Sequence, residues 1–187
     1  KEGQPQTAPL AQRYRVLVPD LPGHGKSVLA GERLSVSLMA EAVLDMMDAE
    51  GIETANLCGS SMGGAVALWL TLKHPERVKR LVLYRISYRS NLDIHKQIYA
   101  MGDPAYWENF GLAAWLSKLH SPQGGADAWK QVIARVGDAL HADDSEHRHR
   151  LADLARIQCP AHITASNTWR APAFAEELRR FYSRPEK

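Results

Sequence analysis

The pentapeptide Gly59-Ser60-Ser61-Met62-Gly63 stands directly between an apolar run, Thr54-Ala55-Asn56-Leu57-Cys58, and a helix-patterned stretch, Ala65-Val66-Ala67-Leu68-Trp69-Leu70. A chain that passes from strand to helix without a loop must reverse at one apex residue, and such a reversal tolerates only small neighbours. Gly59 and Gly63 supply the missing side chains, and Gly64 extends the clearance. The spacing predicts that the Ser61 hydroxyl is exposed at the end of a strand, above a helix N-terminus, with the Met62 N–H facing any charge that develops on a substrate oxygen. The plain alternative is a Gly/Ser loop without chemistry. The flanks speak against it, because one reads as a short buried strand and the other as a helix stopped by Lys73-His74-Pro75.

The surrounding pattern alternates. Tyr14-Arg15-Val16-Leu17-Val18 is rich in β-formers and ends in a cluster of turn residues from Pro19 to Ser27. Apolar residues at Val36, Met39, Val43, Met46 and Met47 then recur at helical steps, with Ser35 as N-cap and Gly51 as stop. Val78 to Tyr84 follows the Ser61 segment as a further strand. Strands separated by helices pair in parallel, so the expected fold class is α/β, a partial doubly wound parallel sheet whose active site lies at the strands' carboxyl ends.

From Tyr88 to about Leu151 the pattern becomes helical and rich in Tyr, Trp and His, with breaks at Asp103-Pro104 and Ser121 to Gly125. This reads as an inserted helical cap. Residues 1–87 and 153–187 are then an incomplete core and 88–152 the cap, with Ala161 to Ala165 returning to the sheet and Pro172 to Tyr182 closing as an amphipathic helix.

Formal net charge is +2 with both signs interspersed, which excludes an electrostatic argument for nucleic acid or an anionic membrane as partner. No uncharged apolar run reaches the roughly 18 residues of a membrane span, and Lys1-Glu2-Gly3-Gln4 has no signal-peptide core. A cytoplasmic protein is expected. Cys58 and Cys159 lack metal-ligand spacing and read as buried free thiols. The histidines 141, 147 and 149, with Asp143, Asp144 and Glu146, fit no ligand template and read as a solvated helix face. Tyr99, Tyr106, Trp107, Phe110, Trp115 and Trp129 leave two readings open, an apolar acyl pocket or the packing of the cap itself.

Three segments together carry a family resemblance. Val16-Leu17-Val18-Pro19-Asp20-Leu21-Pro22-Gly23-His24-Gly25-Lys26-Ser27, Leu57-Cys58-Gly59-Ser60-Ser61-Met62-Gly63-Gly64 and His74-Pro75-Glu76-Arg77-Val78-Lys79-Arg80-Leu81-Val82-Leu83 resemble, in this order, the strand and turn that precede the helix before the elbow, the nucleophile elbow, and the end of the next helix with its following strand in the α/β-hydrolase superfamily. The likeness is to its cap-bearing branch of esterases, lipases and carbon–carbon bond hydrolases. It implies a small acyl substrate, attack by Ser61, an oxyanion held by the Met62 N–H, and hydrolysis of an acyl-enzyme without metal or organic cofactor. Serine at the apex argues against the epoxide hydrolase and dehalogenase branches, whose elbows carry aspartate.

The chain also departs from that pattern. No His-Gly oxyanion motif precedes the first predicted strand, and Gln4 to Gln12 looks like the tail of the helix after it. His24-Gly25 follows that strand and reads as a structural turn. Where the family's acid is expected stands Ser166-Asn167-Thr168-Trp169-Arg170, leaving Asn167 as an orienting amide or Asp93 as an acid from an alternative position. The last histidine, His162, sits inside a predicted strand rather than after one. Without a triad histidine, turnover falls on the order of 10⁶-fold. The expectation is therefore a truncated or rearranged hydrolase, nearly inactive alone and poorly soluble because Val16 and Val18 occupy an unprotected strand edge, or else a catalytically inactive hydrolase-like binding module.

Overall fold

The computed structural model describes residues 4–31, 33–86, 99–141, 151–164 and 172–183. Three parallel strands lie at its centre in the order β1 (Ala55–Ser60), β2 (Val78–Tyr84) and β3 (Ala161–Thr164). As the middle strand, β2 is covered on both faces, and its side chains alternate between them. Leu81 and Leu83 pack with Ala67 and Leu68 of helix α3 (Met62–Lys73), whereas Val82 and Tyr84 pack with Leu178 and Phe181 of the C-terminal helix Pro172–Tyr182. Arg80 shares the second face and is buried. Its guanidinium carbon lies 5.9 Å from the centre of the Phe181 ring, which offsets part of the cost of removing the cation from water.

Helix α1 (Gln4–Ala11) packs on the C-terminal helix, and Leu10 joins the Val82, Tyr84 and Phe181 cluster. Helix α2 (Val36–Ala49) starts where expected: the Ser35 hydroxyl accepts the Leu38 N–H at 3.0 Å. Its buried side chains Val36, Met39, Ala40 and Met47 form the stripe that faces α3, and Gly51, at a φ of 66°, ends it. The Arg77 guanidinium secures the next turn, donating to the Glu53 carbonyl at 2.7 Å, the Ile52 carbonyl at 3.1 Å and the Asp48 carboxylate at 2.5 Å. Almost every residue of α3 from Gly64 to Thr71 is buried, and the Thr71 hydroxyl donates back to the Ala67 carbonyl at 2.8 Å.

Between β2 and β3 run α4 (Pro104–Asn109), α5 (Ala113–His120), α6 (Ala128–His141) and the short α7 (Leu151–Leu154); the helix Pro172–Tyr182 is α8. At the break expected at Asp103-Pro104 a new helix begins, and Asp103 caps α4 by accepting the Ala105 N–H at 2.9 Å. Leu116, Trp129 and Ile133 form a small core of their own, while Val136, Ala139 and Leu140 of α6 join the cluster built on Leu29, Leu34 and Met39. No helix among the described residues is long and apolar enough to cross a membrane.

Two expectations are corrected. Tyr14 to Val18 forms no strand: extended chain becomes strand only through a ladder of hydrogen bonds, and no neighbouring strand among the described residues supplies one. Leu17 and Val18 are accordingly 38% and 53% exposed. The cysteines are free but not buried, Cys58 being exposed and Cys159 half-buried. Among the described residues β1 is an outer strand, and alternation puts Asn56 and Cys58 on its exposed side.

Candidate active site

Ser61 is the apex of a sharp turn between β1 and α3, with φ 51° and ψ −118°. That pair mirrors a common extended conformation; it suits glycine and costs an L-residue on the order of 1–3 kcal/mol. The surroundings hold it there. The Ser61 N–H donates to the Tyr84 carbonyl at 3.0 Å, and its own carbonyl accepts from the Gly64 and Ala65 N–H groups at 2.9 and 3.1 Å, the first bonds of α3. The side chain is exposed at the carboxyl ends of the strands.

The glycines divide the work differently from the sequence expectation. A Cβ on Gly59 would stand 2.1 Å from the Gly63 carbonyl oxygen and 2.6 Å from the Gly64 nitrogen, both backbone atoms, so only glycine fits. A Cβ on Gly63 would meet nothing within 4 Å. Gly63 thus matters through its carbonyl, which presses on Gly59, and not through a missing side chain. At Gly64 an added Cβ would lie 3.3 Å from the Gly59 carbonyl oxygen and 3.5 Å from Ile86 Cβ. Met62 is the first residue of α3, and its side chain packs against the Leu34 and Val66 cluster.

The turn from Asp20 to Ser27 is held by its own hydrogen bonds. His24 Nδ1 donates to the Pro22 carbonyl at 3.0 Å, and the Asp20 carboxylate accepts the Lys26 N–H at 3.0 Å. Nothing local in the sequence marks this turn as the place where the segment around His120 and Gln123 docks. The Gly25 N–H donates to His120 Nδ1 at 3.4 Å, the Gln123 amide donates to the Gly25 and Ser27 carbonyls at 2.8 and 3.0 Å, and the His24 and His120 rings meet edge to face at 5.6 Å. Burial pushes the His120 imidazole down to about 4, with the neighbouring His24 adding to the shift and Asp20 opposing it; burial likewise lowers His24. Neither His120 nor Gln123 has a local signal, since their partners lie almost a hundred residues away.

His162 is in β3, with its ring 5.8 Å from that of Phe181. Asp93 and Asn167 lie outside the described residues, as do Asp143, Asp144, Glu146, His147 and His149. Among the described residues no group of three or more His, Cys, Asp or Glu could hold a metal ion, and none makes a hydrogen bond to the Ser61 hydroxyl. Packing among the helices between β2 and β3 accounts for Trp129 and Trp107, whereas Tyr99, Phe110 and Trp115 are exposed.

Comparison with known proteins places this geometry. Residues 4–115 match the family model for the alpha/beta hydrolase fold. A 3-oxoadipate enol-lactonase from Acinetobacter baylyi is 46% identical over 74 residues, 40% of this chain and 27% of its own length. A 2-hydroxy-6-oxo-6-phenylhexa-2,4-dienoate hydrolase from Burkholderia cepacia is 47% identical over 76 residues, 40% of this chain and 26% of its own length. The chain thus matches about a quarter of the length of these curated relatives. Among solved structures, NosK from Streptomyces actuosus superposes with a TM-score of 0.72 at 22% identity, over 96% of this chain and 76% of that one. The enol-lactonase from Burkholderia xenovorans LB400 gives 0.64 at 20% identity, over 98% and 86%. With a strained serine apex between parallel strand and helix, and with more than half of its residues matched by the family model, the chain belongs to the alpha/beta hydrolase fold family.

Proposed function

We propose that this chain carries the nucleophile of a serine hydrolase acting on a small ester or related acyl substrate. The observation that supports the reading is the Ser61 backbone, an exposed hydroxyl held at φ 51° where a glycine would be less strained. In this mechanism the Ser61 oxygen attacks the acyl carbonyl, and the oxyanion is held by the Met62 N–H at the start of α3, where the helix dipole adds to the hydrogen bond. The alcohol departs, an acyl-enzyme remains on Ser61, and water then releases the acid. A lactone is a cyclic ester, so the enol-lactonase among the relatives is in keeping with this substrate class.

Attack by a serine needs a general base, and no described histidine is hydrogen-bonded to Ser61. That observation favours a second reading, a hydrolase-like module that binds a ligand in the same place without turning it over. A fluorophosphonate probe separates the two. Labelling that disappears in Ser61→Ala supports the hydrolase, whereas a folded protein that is not labelled supports the binding module. Ester turnover against pH then reports the base: a sigmoidal rise through the imidazole range means that a histidine reaches Ser61.

A further inference from the structure

His120 and His24 are titratable groups that the reaction at Ser61 does not use, and they meet where residues 120–123, the link between α5 and α6, cross the turn at residues 20–27. The link grips one residue of that turn from both sides. Gly25 gives its N–H to His120 Nδ1 at 3.4 Å and takes the Gln123 amide on its carbonyl at 2.8 Å, while the same amide reaches the Ser27 carbonyl at 3.0 Å. Directly after Gln123 come Gly124 and Gly125, at φ 139° and 104°, and a Cβ added to either would meet nothing within 4 Å. The link can therefore swing off the turn about two glycines in open space. Leu116, Trp129 and Ile133 hold α5 on α6 meanwhile, and Val136, Ala139 and Leu140 hold the end of α6 beside Leu29 and Leu34.

One of the two grips depends on a lone pair. His120 is only 6% exposed, and a proton on its Nδ1 would set an N–H against the N–H of Gly25 and a cation beside the His24 ring, whose centre is 5.6 Å away. Burial and then His24 oppose that proton, and Asp20 favours it. Of the charged groups on neighbouring elements, Glu108 of α4 and Asp127 act on Lys130 of α6, Arg135 of α6 is half-buried, and Lys26, Lys118 and Asp138 are exposed. We propose that residues 120–123 are an acid-released strap: protonation of His120 lifts the link between α5 and α6 off the turn at Gly25 while the sheet and its helices stay folded. The device is separate from the chemistry at Ser61.

Hydrogen–deuterium exchange read peptide by peptide, with rates corrected for the intrinsic effect of pH, tests this on the whole chain. Between pH 7.5 and 4.5 the wild type loses protection at residues 20–27 and 113–125 by about 10- to 100-fold, the span set by a folded value of about 4 against an ordinary 6.5, whereas α2, α3 and β2 keep theirs. His120→Asn offers an acceptor with no proton to gain, so its protection there does not change over the range. Gln123→Ala removes the grip that does not titrate, and its release sets in at a higher pH than that of the wild type. Should His120→Asn be unprotected already at pH 7.5, it defines the released state, and the shift in Gln123→Ala decides. Protection lost equally in α2 and β2, a wild type unchanged down to pH 4.5, the same pH response in wild type and His120→Asn, or no shift in Gln123→Ala overturns the inference, whatever the fluorophosphonate finds at Ser61.

Discussion

At the scale of single residues, the elbow trades stability for the exposure of one hydroxyl. Ser61→Gly and Ser61→Ala both delete that hydroxyl, but only glycine is at ease at φ 51° and ψ −118°. Ser61→Gly should therefore raise the unfolding free energy by about 1 kcal/mol in urea titrations, with Ser61→Ala showing no such gain. Equal stability of the two variants would mean that the backbone of the free protein is relaxed. Gly59→Ala goes the other way. Its methyl group would stand 2.1 Å from a backbone oxygen that belongs to the first turn of α3, and neither partner is a flexible side chain that can swing aside. A loss of about 3 kcal/mol or more is expected, together with loss of any Ser61 labelling, whereas Gly63→Ala should cost no more than about 1 kcal/mol. The G-x-S-x-G spacing made the apex legible, because small residues at a strand-to-helix junction have few other uses. It did not distinguish the two glycines, since which one needs the space depends on how the first helical turn folds back over the strand.

At the scale of elements, those with a strong internal period were readable. The stripe from Val36 to Met47 and the cap at Ser35 mark α2 in the sequence, and Ser35→Ala should cost about 1 kcal/mol through the lost bond to the Leu38 N–H. Tyr14 to Val18 has equally good β-formers and forms no strand, because propensity supplies residues that fit a sheet but not the neighbour to pair with. The docking of His120 on the turn at Gly25 was invisible for a related reason: the bond between them joins segments 95 residues apart. That contact makes stability pH-dependent. His120 must be neutral at Nδ1 to accept the Gly25 N–H, and its pKa is held at about 4 against an ordinary 6.5. Because the folded value lies below the unfolded one, the unfolded chain binds more protons in that interval. The stabilisation is complete above pH 6.5 and is lost as pH falls toward 4, by on the order of 2 kcal/mol. His24, lowered in the same direction, adds to the loss, and Asp20 moderates it. Thermal midpoints of the wild type from pH 7.5 to 4 should fall more steeply than those of His120→Asn, which keeps an acceptor at that place without a proton to gain; parallel curves would show that the imidazole is not the sensor.

At the scale of the whole molecule, the sheet is closed by helices on its faces, but among the described residues no strand lies beside β1, while the extended segment before it exposes Leu17 and Val18. One carbonyl of β1 is covered, that of Leu57, which accepts the Tyr182 hydroxyl of α8 at 3.1 Å. Tyr14 supports the same helix, with its ring 6.2 Å from Tyr182 and its hydroxyl 3.1 Å from that of Ser183. An outer strand with free peptide groups beside an exposed apolar stretch is a template for pairing between copies, and natural sheets guard such edges with charge or cover. Here the guard is thin. The chain should therefore associate as its concentration rises, which light scattering and gel filtration would follow. Val18→Lys places a charge on the extended segment and should reduce association with little change in the unfolding midpoint, since the valine is already 53% exposed. Tyr182→Phe removes the donor from the Leu57 carbonyl and should increase it. If the wild type stays monomeric at concentrations where Tyr182→Phe does also, the edge is not the controlling surface and the exposed side chains of the helices between β2 and β3, Phe110 and Trp115 foremost, become the place to look.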